Sequence, residues 1–214
     1  MNSAVIVAGG SSTRFGGDIP KQFIQINGRE ILDYSVSTFS AHSLIDEVVI
    51  VCHKNWMDHV STNYPDCNVI EGGGRRQDSS LNGVNAVSNK AENVLIHDAA
   101  RPLVTGQIIT ECLSALKDAD GSAPILEPSN SLVKWDGKSA IFVDRSEIHF
   151  MQTPQCFKKD IITDALKSNI TATDEVGLVL RACPDAKLKF VCGSHSNIKI
   201  TTPLDINYFS NIQE

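Results

Sequence analysis

Val5-Ile6-Val7-Ala8-Gly9-Gly10-Ser11-Ser12-Thr13-Arg14-Phe15-Gly16-Gly17-Asp18-Ile19-Pro20-Lys21-Gln22 is the stretch that the rest of the chain serves. The apolar run Ala4 to Ala8 reads as a buried strand, and it empties into thirteen residues, Gly9 to Lys21, that hold four glycines and two basic side chains. Gly9, Gly10, Gly16 and Gly17 let backbone N–H groups approach an anion closely, and Arg14 and Lys21 add charge. Pro20 stiffens the exit just before Lys21. This is the pattern of a strand delivering a phosphate-handling loop. An ordinary flexible βα loop carries the same glycines, so the loop alone leaves both readings open. Neither G-x-G-x-x-G nor G-x-x-x-x-G-K-[ST] threads through these residues, which disfavours a dinucleotide-dependent Rossmann enzyme.

Outward from that loop the chain alternates. Ile31, Leu32, Tyr34, Ser35, Val36 and Phe39 form a helical stripe, and Glu47 to Cys52 is a β-branched run suited to a strand buried on both faces. A short helix from about Trp56 to Tyr64 and a strand at Asn68 to Glu71 follow. Asn93 to Ile96 predicts a fourth strand, Thr105 to Ala119 a helix, and Ser122 to Leu126 a fifth strand. The expectation is an α/β fold with a doubly wound, mostly parallel sheet and ligands at the carboxyl ends of its strands. Between Leu132-Val133-Lys134-Trp135 and Ala140-Ile141-Phe142-Val143, Asp136-Gly137 predicts a β-hairpin outside the alternation. Lys159 to Lys167, a helix capped at Thr173-Asp174-Glu175, and a last strand at Lys187 to Cys192 complete the chain.

At 214 residues one domain is expected over residues 1–214, with an excursion at about 130–150. No apolar run approaches the roughly 20 residues needed to span a bilayer, and Met1 leads straight into a strand, so neither membrane insertion nor export is expected. Six cysteines without a C-x-x-C pair read as buried thiols of a reducing, cytoplasmic compartment. The formal charge, 19 minus 25 or −6, argues against a nucleic-acid-binding face. An anionic ligand therefore needs a local basic pocket, for which Arg14, Lys21, Arg75, Arg76, Arg101, Arg145 and Lys199 are candidates.

Two further motifs carry chemistry. Gly72-Gly73-Gly74-Arg75-Arg76-Gln77-Asp78-Ser79-Ser80 leaves a strand and opens a helix, as a second ligand-facing loop or as a glycine turn with an N-cap. His97-Asp98-Ala99-Ala100-Arg101-Pro102 places a carboxylate at a strand end with an arginine three positions on. A hard oxygen suits Mg²⁺ and a guanidinium suits phosphate, although an Asp–Arg pair that merely caps a helix has the same spelling.

Taken in order, these segments resemble the family of cytidylyltransferases that make 4-diphosphocytidyl-2-C-methyl-erythritol, which also includes ribitol-5-phosphate cytidylyltransferase. The resemblance rests on A-G-G-x-x-x-R…P-K-Q at Ala8, Gly9, Gly10, Arg14, Pro20, Lys21 and Gln22, and on G-G-x-x-R-x-D-S at Gly73, Arg76, Asp78 and Ser79. It extends through H-D-A-A-R-P, Gln152-Thr153-Pro154-Gln155 and Asn197-Ile198-Lys199-Ile200-Thr201, and so spans Val5 to Asp205. It implies a Rossmann-like nucleotidyltransferase fold whose hairpin is a homodimer arm, with CTP, a small polyol phosphate and Mg²⁺ as ligands. By resemblance Arg14, Lys21 and Asp98 are catalytic, with Asp98 on the metal. Ala8, Gly9, Gly10, Gly73, Arg76, Asp78 and Ser79 hold the nucleotide. Arg101, Ser131, Arg145, Thr153 and Lys199 collect the acceptor, and Gln152 and Gln155 organise backbone. Asn130-Ser131 replaces the family's Asp-Thr, which keeps the hydroxyl and loses the carboxylate. A ribitol 5-phosphate acceptor and a nucleotide-binding module without catalysis are the alternative readings.

Overall fold

The computed structural model describes residues 1–10, 15 and 19–212. Its strands are β1 (Asn2–Ala8), β2 (Gln25–Ile26), β3 (Arg29–Glu30), β4 (Glu47–Cys52), β5 (Asn68–Glu71), β6 (Asn93–Asp98), β7 (Gly121–Leu126), β8 (Leu132–Trp135), β9 (Ala140–Val143), β10 (Phe150–Met151), β11 (Gln155–Lys158) and β12 (Leu188–Cys192). Its α-helices are α1 (Ile31–Ser40), α2 (Met57–Asn63), α3 (Arg76–Ala86), α4 (Gly106–Ala115), α5 (Lys159–Lys167), α6 (Glu175–Ala182) and α7 (Pro203–Ile212).

β1 lies at the centre of the main sheet, paired in parallel with β4 through Val5–Val49 and with β6 through Val5–Ile96. β5 extends the sheet beyond β4. Beyond β6 lie the antiparallel β11, then β7, then β12, with β12 parallel to β7. β10 pairs with the far end of β7 on the same edge as β11. Alternate residues of each strand face opposite helical layers. Ala4, Ile6 and Leu95 pack with α1, α2 and α4, while Val5, Val49 and Ile96 pack with α3, α5 and α6. Both faces are thus covered, which is why the central strands read as continuous apolar runs.

The chain winds from β1 outward to β4 and β5, then returns across α3 to β6 on the other side of β1. The order therefore reverses between β1 and β6, and such a switch point opens a crevice at the strands' carboxyl ends. Those ends are Ala8-Gly9-Gly10 and Asp98. α3 packs hard on β1 and its other neighbour β4, since a Cβ at Gly83 would lie 2.3 Å from Val5 Cγ1 and 2.9 Å from Val51 Cγ2.

Several boundaries differ from the sequence expectation. β6 continues through His97 and Asp98 because Ile6 and Val7 of β1 keep both in register, and both residues are buried. α3 starts at Arg76, ahead of Asp78, because the Asp78 carboxylate accepts from the Arg75 backbone N–H and closes the first turn. α4 ends at Ala115 rather than Ala119, where Leu116 and Lys117 tighten to bonds with residues three back. Asn27 and Gly28, with φ of 52° and 75°, close an unanticipated hairpin between β2 and β3.

The expected hairpin is present. β8 and β9 form a separate two-stranded sheet whose turn is held by Asp136 Oδ1 accepting from Lys138 and Ser139 N–H. Val133, Trp135 and Phe142 share one face of it, and Trp135 and Phe142 are 60% and 78% exposed. The cysteines are all free, but Cys192 is exposed because β12 is an edge strand. No helix among the described residues is long and apolar enough to cross a membrane.

Candidate active site

A cleft of about 680 Å³ opens at the switch point. Ala8, Gly9 and Gly10 after β1, Lys21, the Gly72–Arg76 loop, Ser79, Asp98 and Lys199 line it, together with His53 and Lys54 after β4.

The first loop is held from below. Gln22 is buried, and its side-chain amide donates to the carbonyls of Ala8 (2.6 Å) and Gly10 (3.2 Å), which shapes the start of the loop. Lys21 sits in a one-turn 3-10 helix, Lys21–Phe23, and donates to the Ile200 carbonyl, beside Lys199. Pro20 places this turn without donating an N–H of its own. The Lys199–Thr202 segment is pinned in turn. Ile200 N–H donates to Ala100 O, and the Asp205 carboxylate accepts from the N–H and hydroxyl groups of Thr201 and Thr202. Arg14, Gly16 and Gly17 lie outside the described residues.

In the second loop Gly73 N–H donates to Ser79 Oγ at 3.0 Å, and that hydroxyl donates to Arg75 O at 3.2 Å. A Cβ at Gly73 would stand 2.3 Å from Asp78 Cβ, so the turn requires glycine. Asp78 does not line the cleft. Its carboxylate is taken by the Arg75 backbone and guanidinium, and it shapes the turn rather than facing the cavity.

Asp98 is the focus of the charges. It is 8% exposed, and Arg76 donates from Nε (3.2 Å) and Nη2 (3.1 Å) to Oδ1. Lys199 Nζ lies 2.7 Å from Oδ2, and Arg101 Nε stands 3.9 Å away. Burial pushes the Asp98 carboxyl up, but Arg76, Lys199 and Arg101 more than reverse this and hold it well below the usual carboxylate range. Asp98 is charged at every ordinary pH.

Behind Asp98 lies a neutral support. His97 Nε2 donates to Arg101 O at 3.1 Å, which leaves Nδ1 as the acceptor for the Thr153 hydroxyl at 3.0 Å. The same hydroxyl accepts from the Asp98 N–H at 3.1 Å. Burial lowers the His97 pKa to about 4, so the imidazole is neutral, as this bonding requires. Thr153 is therefore brought to the cluster, but its hydroxyl is buried and occupied beneath Asp98. Gln152 bridges Ser194 and Asn197, and Gln155 accepts from Val176 N–H, so both organise backbone.

Arg101 is also set back. Its Nη1 donates to Asn197 O at 2.8 Å, and it acts on the cleft through Asp98. Ser131 and Arg145 do not line the cleft of their own chain. Ser131 is exposed at the foot of the hairpin. Arg145 donates to Ser129 O and borders a separate cavity of about 450 Å³ with Glu127, Pro128, Ser146 and His195.

Three contributors escaped the sequence reading. His53 and Lys54 follow the carboxyl end of β4, and that position alone could have flagged them. Glu175 was read only as part of a helix cap, yet it reaches Arg76 from α6.

No group of three or more His, Cys, Asp or Glu that could hold a metal occurs among the described residues. Asp98 offers a single buried-edge carboxylate beside space for phosphates, which suits a divalent cation carried largely by substrate.

The family model described as IspD, 2-C-methyl-D-erythritol 4-phosphate cytidylyltransferase, matches residues 2–212. A protein of that name from Clostridium botulinum strain Langeland is 39% identical over 96% of this chain and 94% of its own length. One from Thermobifida fusca is 34% identical over 95% of this chain and 90% of its own. The crystal structure of the 4-diphosphocytidyl-2C-methyl-D-erythritol synthase of Anaerococcus prevotii superposes with a TM-score of 0.89 at 27% identity, covering 100% of this chain and 96% of that one. Agreement in sequence and fold from end to end means that the chain belongs to the 2-C-methyl-D-erythritol 4-phosphate cytidylyltransferase family.

Proposed function

We propose that the protein transfers CMP from CTP to 2-C-methyl-D-erythritol 4-phosphate, giving 4-diphosphocytidyl-2-C-methyl-D-erythritol and pyrophosphate. The observation that supports this most is Asp98 at the switch-point cleft, ringed by Arg76, Arg101 and Lys199 in a chain that matches the family over residues 2–212. In the reaction a phosphate oxygen of the acceptor attacks the α-phosphorus of CTP, and the bond to the departing pyrophosphate breaks. Both reactants are anions. Catalysis then consists of holding them together and stabilising charge that builds on the phosphorus.

Each part of the cleft has a task in this reading. Ala8, Gly9, Gly10 and Gly73 let the backbone approach the nucleotide, and Ser79 and Arg76 hold its far side. Lys21 and Arg14 meet the reacting phosphate. Lys199 offers positive charge to the acceptor phosphate and Arg101 adds to it from behind Asp98, with Thr153 setting Asp98 from beneath. A divalent cation, Mg²⁺ in this reading, supplies charge neutralisation on the nucleotide phosphates, with Asp98 as its protein ligand. The exposed apolar face of the β8–β9 hairpin supports a homodimer in which Ser131 and Arg145 serve the partner's cleft. With its free cysteines the enzyme is assigned to the cytoplasm.

The test is pyrophosphate release from CTP and Mg²⁺ with 2-C-methyl-D-erythritol 4-phosphate or ribitol 5-phosphate as acceptor. Turnover with the first is expected. Turnover with ribitol 5-phosphate alone would transfer the assignment to that acceptor, for which the Asn130-Ser131 departure leaves room. No turnover with either would leave a nucleotide-binding module.

A further inference from the structure

Glu175 is 2% exposed, and it approaches the cleft from the helical layer behind Asp98. Its helix does not need it as a cap, because Asp174 accepts from Gly177 N–H at 2.7 Å. Its Oε1 instead accepts from Arg76 Nη1 at 2.6 Å and from Ser80 Oγ at 2.7 Å. Oε2 is buried and has no hydrogen-bond partner among the described residues. Burying a carboxylate is costly, and a buried ion pair is a poor source of stability. The charge and the spare oxygen both need an explanation.

Arg76 supplies one. Its guanidinium stands between two carboxylates, with Nη1 on Glu175 and with Nε and Nη2 on Asp98 Oδ1. Lys199 and Arg101 crowd the other side of Asp98. If Asp98 is to serve a cation carried by the nucleotide, Arg76 has to loosen its hold there without becoming an unpaired buried charge. A guanidinium can do so by adding a second N–H bond to the same carboxylate, and Glu175 Oε2 is the acceptor left over for it.

We infer that Glu175 is a positioning residue that shares Arg76 with Asp98 and so keeps Asp98 available to the nucleotide's cation. This rests on the cytidylyl-transfer reading above. With the charge removed, a neutral amide holds Arg76 more weakly, the guanidinium leans on Asp98, and the cation has to compete harder for that carboxylate. The cleft as a whole becomes more positive, so the anionic nucleotide itself is not bound more weakly. Loss of cation response without loss of nucleotide affinity is a signature that damage to packing does not produce.

The experiment is a cycle of Glu175→Gln, Arg76→Ala and the double variant on the full chain. For Glu175→Gln, the Mg²⁺ concentration at half-maximal rate should rise, and kcat fall, about 10-fold, within the ~10–100-fold typical of groups that orient a metal ligand. The KM for CTP should not rise. CTP affinity measured by calorimetry in EDTA should be unchanged or tighter, with a smaller gain on adding Mg²⁺. In the Arg76→Ala background, Glu175→Gln should change none of these further. Ser80→Ala removes the other partner of Oε1 and should leave the Mg²⁺ response as in wild type. Effects that multiply in the double variant, or a Ser80→Ala protein that reproduces Glu175→Gln, would overturn the inference. If Glu175→Gln does not fold, Glu175→Asp, which withdraws the charge without deleting it, is carried through the same cycle with the same two outcomes. A wild-type protein that turns over no acceptor strikes the activity itself, and a working wild type with multiplicative effects strikes only the role of Glu175.

Discussion

Lys199 Nζ lies 2.7 Å from Asp98 Oδ2, which joins the segment after β12 to the carboxyl end of β6. With Arg76 on Oδ1 and Arg101 nearby, one carboxylate occupies three cations that the proposed reaction assigns to phosphates and their surroundings. Asp98 thus keeps the cations gathered and oriented before any substrate arrives. That is preorganisation in its electrostatic sense.

Lys21 is the cation whose charge should count most as the reaction proceeds, because it enters beside the loop that meets the reacting phosphate. Lys21→Ala is expected to lower kcat by ~10²–10³-fold with little rise in the KM for CTP. Steady-state kinetics decide. An unchanged kcat with a large rise in KM would make Lys21 a binding group only.

Gly83 tests the packing that sets the cleft. A Cβ there meets Val5 of β1 and Val51 of β4 at 2.3 and 2.9 Å, and residues following both strands line the cleft. Gly83→Ala should destabilise the fold by about 1–3 kcal/mol, the usual cost of overpacking, although alanine is the better helix former. Urea denaturation measures it, and a midpoint equal to wild type would refute the close approach.

The support behind Asp98 predicts a pH dependence. His97 is held neutral with a pKa of about 4, whereas an unfolded histidine titrates near 6.5. Between these values the unfolded chain binds a proton that the folded chain refuses, so stability should rise with pH from about 4 to about 6.5 and then level off. The contribution is a few kcal/mol. The Asp98 carboxyl is depressed as well and acts in the same direction, but its stabilisation is lost only below about 3.8, so the two windows separate. Denaturation midpoints of the cation-free protein across this range, together with the His97 ring proton shifts, check it. A histidine titrating near 6.5 in the folded state would be the contrary result.

Thr153→Val keeps the shape and removes the hydroxyl that serves His97 Nδ1 and Asp98 N–H together. Leaving buried groups unpaired costs about 1–3 kcal/mol each, so the melting temperature should fall clearly. A large loss of acceptor affinity with unchanged stability would show instead that this hydroxyl meets substrate.

The shared-site dimer is tested by complementation. Arg145→Ala and Lys21→Ala proteins are mixed under conditions that let subunits exchange. If Arg145 serves the partner's cleft, one site of each mixed dimer carries both lesions and the other neither. Up to about a quarter of wild-type activity then returns at equal mixing, since half the dimers are mixed. No recovery, with exchange independently confirmed, would return Arg145 to its own chain.

The periodicities of the sequence determined the layers, because strands covered on both faces must be apolar throughout, as Val48 to Cys52 and Val94 to Ile96 are. They also determined the second glycine loop and the hairpin, since Gly73 beside Asp78 and Gly137 after Asp136 answer to local backbone geometry. What a side chain faces was decided elsewhere. Asp78 reads as a nucleotide ligand until Arg75 folds onto it, and Thr153 reads as a substrate contact until His97 and Asp98 occupy it from a strand far away in the chain. Glu175 carries no local signal at all, because its cap position is satisfied by Asp174 next to it. Its meeting with Arg76 exists only once α6 and α3 are laid on the same face of the sheet, and such long-range electrostatics depend on which elements the packing brings together rather than on any residue's neighbours in sequence.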